Sequence, residues 1–127
     1  MDVTDEAPPD DYDSPWKDVI KEAFPEFMAF YFPVAAAQID WSVPPEFLET
    51  ELRQVVQDAE LGRRHADLLA RVQTLSGHAQ AVFVHVEVQG QRDAGFERRM
   101  LVYHYRLFDR FQAPVASFAV LADEDDA

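Results

Sequence analysis

Two alternating, β-prone stretches flank Gly77, and their symmetry constrains the fold more than any other feature of the chain. Arg64 to Leu75 precede the glycine and Ala79 to Gln89 follow it. In the second stretch Val82, Val84, Val86 and Val88 alternate with Phe83, His85, Glu87 and Gln89. So regular a period of two marks a strand whose valine face turns to a core. With Ser76-Gly77-His78 as the turn, the stretches close into a β-hairpin over 64–75 and 79–89. Its mirror symmetry sets Asp67 opposite Glu87, each ten positions from Gly77, and His65 opposite Gln89. Directly opposed residues have Cβ atoms roughly 4.5–5.5 Å apart on one face of the sheet. Two carboxylates held that close repel each other, and a cation between them removes the conflict. The expectation is a divalent-metal site.

The rest of the chain supplies layers for that hairpin. Residues 1–13 are acidic and Pro-containing and read as a disordered arm. A domain is expected over 14–122, followed by an acidic tail over 123–127. Ser14-Pro15 reads as an N-cap with proline at the first helical position. Trp16, Val19, Ile20, Ala23, Phe24, Phe27 and Tyr31 follow at helical spacing. Pro25 breaks this into two short helices or a kink, and Pro33 is expected to end it. Val34 to Pro45 connects to a short helix over Pro45–Leu52, with acids in its first turns. Gln54 to Gly62 is open, and Val55 and Val56 could be extended. After a loop over Gly90–Gly95, Phe96–Phe111 is an amphipathic helix. Phe96, Met100, Tyr103, Leu107 and Phe111 share one face, and Arg99, Arg106 and Arg110 form an adjacent stripe. Val115 to Leu121 is a final apolar strand, parallel to the hairpin through the helical crossover. The fold class is α/β.

With 127 residues, 48% of them apolar, the chain suffices for one domain with a real core. It contains no cysteine, which excludes disulfides and thiolate metal sites. No apolar run is long enough to span a membrane and no secretory leader is visible, so a cytoplasmic protein is expected. The net charge is −13, but it is unevenly spread. Residues 1–60 carry a balance of −12, residues 61–122 a balance of +3, and the last five residues hold four acids. All eight basic residues beyond position 60 are arginine, whose planar fork suits phosphate. The half that holds the carboxylate pair therefore retains salt-sensitive binding to nucleic acid as an expectation.

Mg²⁺ takes oxygen ligands and often uses one or two protein carboxylates plus a phosphate. Asp67 and Glu87 can supply the carboxylates, the Val88 carbonyl a third oxygen, and Gln89 a group that orients an attacking water. An Asp on the first hairpin strand and Glu-x-Lys on the second, within helix, hairpin, helix and strand, is the PD-(D/E)xK nuclease signature; here the second element reads Glu87-Val88-Gln89. Further stretches carry the likeness: Phe24-Pro25-Glu26-Phe27, Ile39-Asp40-Trp41-Ser42, Pro45-Glu46-Phe47-Leu48, Gly62 to Asp67, His85 to Gln91, Phe96 to Met100 with Tyr103 to Arg106, and Val115 to Leu121. Through them the chain resembles the Rpn family of recombination-promoting nucleases and putative transposases, over about residues 14–122. The resemblance implies a restriction-endonuclease-like core with a small mixed sheet, and Mg²⁺-dependent DNA cleavage, with Mn²⁺ as an alternative ion. It carries Asp67 and Glu87 over as metal ligands and Gln89 as the equivalent of the catalytic lysine. Ala66 stands where the signature has proline, and Gln89 brings no charge. Arg98 or Arg99, at the start of the next helix, is the candidate for the missing cation and for contact with a substrate phosphate.

Plainer readings compete with this one. Asp67 can pair with Arg64 or Arg71 on a solvated face. His65 and His85 can be hydrogen-bonded, partly buried imidazoles, and the arginine stripe can be exposed. The fold can be a catalytically degenerate copy serving as a binding or scaffold module. The acids can instead make an interaction surface that mimics nucleic acid. Nothing in the residues separates DNA from RNA as the substrate. Cutting both strands of a duplex needs two sites, which leaves room for a homodimer.

Overall fold

A computed structural model describes residues 15–59, 66–75, 80–89 and 94–121. The expectations for the N-terminal arm, for Ser14, Arg64 and His65, for the turn at 76–79, for the loop at 90–93 and for the acidic tail lie outside them. The chain is α/β: an open, mixed four-stranded sheet with five helices among the described residues. The order begins with α1 (Pro15–Glu22), α2 (Phe24–Tyr31), α3 (Pro33–Ala36) and β1 (Glu46–Phe47), and continues with α4 (Glu49–Ala59) and β2 (Ala66–Gln73). It ends with β3 (Ala81–Gln89), α5 (Phe96–Phe111) and β4 (Val115–Leu121).

The sheet order is β1-β2-β3-β4. β2 and β3 are the arms of the hairpin, antiparallel, with Asp67 opposed to Glu87 and Val72 to Val82. Every pair in this ladder is symmetric about position 77, the register expected from the alternating stretches and a turn centred on Gly77. α5 then carries the chain over one sheet face and returns it as β4, parallel to β3. A parallel neighbour requires such a crossover. α5 ends where Gln112 takes a left-handed conformation (φ 52°) and its backbone N–H bonds to the Phe108 carbonyl. Pro114 follows and cannot continue the helix.

Both faces of the sheet are covered. The valine face meets α1–α3: Ile20, Phe24 and Met28 pack on Leu68, Ala70, Val72, Val84, Val86 and Val88. Phe24 anchors this layer, with Trp41 and Phe47 edge-on to its ring at 5.7 and 5.4 Å. The buried stripe on α1 and α2 runs Lys17, Ile20, Phe24, Met28, while Val19 and Tyr31 are exposed. α2 stops at Tyr31, just ahead of Pro33 as expected, and Pro33 then opens the short α3. The opposite face meets α4 and α5: Leu52, Val55 and Val56 pack with Leu69, Phe83, Tyr103 and Leu107.

Two expectations are corrected here. Pro45–Leu52 is not one helix: Glu46 and Phe47 pair with Arg71 and Ala70 as a short edge strand, and the helix starts at Glu49. Glu46 lies opposite Arg71 and forms an ion pair with it, which ties this edge to the hairpin. Val55 and Val56 are helical, because with Leu52 they form an i, i+3, i+4 apolar patch facing β2 and α5. No helix among the described residues is long and apolar enough to cross a membrane.

Candidate active site beneath α5

Period two on β3 places Phe83, His85 and Glu87 on the face covered by α4 and α5. Asp67 of β2 is the register partner of Glu87. Gln89, two positions beyond Glu87, is opposite Leu121 of β4. The three positions singled out as catalytic are thus divided between the hairpin arms, Asp67 on β2 and Glu87 and Gln89 on β3. At His85 and Glu87 the face is not solvated, however. Glu87 is 0% exposed and His85 is 0% exposed.

Burying a carboxylate is costly unless an opposite charge and hydrogen bonds compensate it. Arg99, in the first turns of α5, provides both. Its Nε and one Nη donate to the same Glu87 oxygen, Oε2, at 3.1 and 2.9 Å. Arg99 is itself only 4% exposed, and its guanidinium lies 5.5 Å from the Phe96 ring centre. Arg99 thus belongs to the inner face of α5 with Tyr103 and Leu107, not to an outward stripe with Arg106 and Arg110, which are exposed. The signal was present in the sequence: Arg99, Tyr103 and Leu107 recur every four residues, the spacing of one helix face. Arg98, the other phosphate-contact candidate, is exposed.

A second polar group lies beside this pair. Ser117 of β4 stands opposite His85 in the parallel register. Its Oγ is 3.3 Å from His85 Nδ1 and 2.9 Å from His104 Nδ1 on α5. A hydroxyl has one proton to donate, so at most one ring accepts from Ser117 and at least one ring donates to its oxygen. His85 Nε2 is buried with no hydrogen-bond partner among the described residues. Burial, and secondarily the nearby His104, lower the His85 pKa to about 4, so the ring is neutral at physiological pH. Sequence reading did not connect Ser117 or His104 to this region; alternation on a strand says nothing about which helix residue arrives above it.

The donor types at Asp67 and Glu87 suit a hard divalent cation, being carboxylate oxygens with no sulfur and no need for imidazole. The arrangement nonetheless sets a guanidinium against one Glu87 oxygen, Oε2. A cation bound through Oε2 would have to displace that guanidinium. Among the described residues no group of three or more His, Asp or Glu side chains converges as a metal cage. A cavity of about 120 Å³ lies on the other sheet face, among Met28, Ile39, Val82, Val84 and Phe118, and its lining holds no carboxylate. Comparison with protein-family models, with curated proteins and with solved structures gave no match.

Proposed function

We propose that the chain is a metal-dependent nuclease built on a restriction-endonuclease-like core, cleaving DNA phosphodiesters in recombination or mobile-element biology. The observation that carries this reading is the register: the antiparallel hairpin opposes Asp67 to Glu87, and a helix and a parallel strand follow in the order the signature requires. Asp67 and Glu87 are the residues that would hold Mg²⁺ or Mn²⁺. When bound, such an ion acidifies a water and neutralises charge on the phosphoryl group. Gln89 takes the place of the motif lysine; its amide orients a water by hydrogen bonding and adds no charge. Arg99 forms a buried ion pair with Glu87 and so compensates its charge. Arg98, exposed at the start of α5, is free to meet a phosphate of the substrate backbone.

A second reading has a specific observation in its favour. The buried Glu87–Arg99 pair already neutralises one of the two carboxylates, as expected of a nuclease fold that has become a binding or scaffold module. A nicking assay separates the two. Supercoiled plasmid is incubated with the full chain and Mg²⁺ or Mn²⁺, beside the Asp67→Ala variant. Ion-dependent nicking lost in Asp67→Ala supports the nuclease. Wild-type protein that leaves the plasmid intact with either ion supports the scaffold.

A further inference from the structure

β4 is the outer strand of the sheet, and among the described residues nothing pairs with its far side. Its sequence, Val-Ala-Ser-Phe-Ala-Val-Leu, carries no charge and no proline. Natural edge strands are usually blunted by charge, proline, bulges or shortness, and β4 has none of these over seven residues. The Phe83 N–H bonds to the Pro114 carbonyl at 2.9 Å. Alternation in a parallel ladder then turns the backbone groups of Ala116, Phe118 and Val120 toward β3. Those of Val115, Ser117, Ala119 and Leu121 point outward.

Apolar shelves flank that edge on both faces. On one face, His104 reaches Ser117, and Leu101 and Phe108 lie three residues before and four after it on the same helix stripe. Leu101, Tyr105 and Phe108 are 68, 66 and 48% exposed. On the other face, the Phe32 ring lies 4.4 Å from Phe118, and Phe30, Tyr31 and Val34 beside it are exposed.

We propose that β4 is a homodimer interface, on which a second copy of this chain adds its own β4 antiparallel. A row of outward N–H and C=O groups accepts only an extended strand, and β4 is complementary to itself. A two-fold axis through Phe118, normal to the sheet, overlaps all seven residues and sets Ser117 against Ala119 and Val115 against Leu121 of the copy. Outward-directed groups then meet outward-directed groups, which forms about eight backbone hydrogen bonds, two for each bonded pair. The axis also keeps faces together, so the α5 shelves meet each other, as do the α2–α3 shelves. Exposed side chains of this size each offer on the order of 100 Å²; the two shelves with Leu121 approach the roughly 800 Å² per partner of a standard interface. The contact is isologous and closes at two copies. Because each copy carries −13, salt should strengthen the association by screening long-range repulsion.

The test is mass measurement by light scattering over a wide dilution series at low and high salt, with residue-level amide exchange on the same samples. The expected result is a dimer that dissociates on dilution, favoured by salt, with slow exchange at the Ser117, Ala119 and Leu121 amides. Ala119→Pro removes one outward N–H and leaves the β3 side of the ladder intact. Leu101→Glu with Phe108→Glu puts charge on the α5 shelf without touching a strand. Each should weaken dimerisation by roughly tenfold or more, with an unchanged circular dichroism spectrum. If Ala119→Pro does not fold, the shelf variant decides alone. A wild type that stays monomeric at every concentration with those amides exchanging freely overturns the proposal, as does a dimer that the shelf variant leaves intact. Nicking activity is not among the readouts, so the outcome is independent of the nuclease reading.

Discussion

Replacing Arg99 by Met tests whether Glu87 is held charged in the interior. Met keeps much of the buried stem and removes the guanidinium that gives Oε2 its two hydrogen bonds. The carboxylate, 0% exposed in the native protein, then loses the charge that Arg99 supplied. Removing one partner of a buried ion pair costs about 3–5 kcal/mol. A carboxylate can escape that cost by taking up a proton. Doing so requires about 1.4 kcal/mol for each pH unit above the ordinary glutamate value of about 4.3. The escape route thus limits the charge penalty to about 4 kcal/mol at pH 7 and about 1 kcal/mol at pH 5. Adding Glu87→Gln to Arg99→Met removes the buried charge altogether and should restore most of the loss at pH 7. Urea unfolding of the wild type, both single variants and the double variant, followed by far-ultraviolet circular dichroism at both pH values, measures the coupling. An Arg99→Met cost below about 1 kcal/mol at pH 7, or one that does not shrink at pH 5, would refute the reasoning.

Other outcomes follow from the same packing. His85 is buried with its pKa lowered to about 4, so the unfolded chain binds a proton that the native one refuses between pH 6.5 and 4. Stability is full above pH 6.5 and falls as pH drops through that window, by about 3 kcal/mol in all; His85→Gln should remove this component from a denaturant series against pH. Leu107→Ala, at a fully buried position between α4, α5 and the sheet, should cost about 2–5 kcal/mol in urea unfolding. Gln112→Gly should stabilise by about 0.5–1 kcal/mol in thermal melts, since glycine accepts the left-handed geometry that caps α5 without a Cβ penalty.

The sequence was most legible where one periodicity governed an element. Alternation about Gly77 yielded the hairpin and its register, and the apolar spacing from Phe96 to Phe111 yielded α5 with its observed ends. It was least legible where partners decide. Glu46 and Phe47 are too few to show a period, and they are a strand only because Arg71 and Ala70 lie alongside. Val55-Val56 has β-branched residues that favour strands in isolation, yet Leu69, Phe83 and Tyr103 reward a helix there. For the site, alternation assigned Asp67, Glu87 and Gln89 to one face of the hairpin. It could not report that α4 and α5 cover that face, nor that Arg99 would turn inward to meet Glu87. An arginine is usually outside, and only its four-residue spacing from Tyr103 marked it as internal.

The opposed carboxylates carry the functional account, and divalent-ion binding tests them most directly. Mn²⁺ is titrated into the wild type, Asp67→Asn and Arg99→Met, with free ion read by electron paramagnetic resonance. The account predicts one ion bound by the wild type, binding lost in Asp67→Asn, and tighter binding in Arg99→Met, where no guanidinium competes for Glu87 Oε2. A wild type that binds no ion, together with an Arg99→Met variant that binds none either, would contradict it.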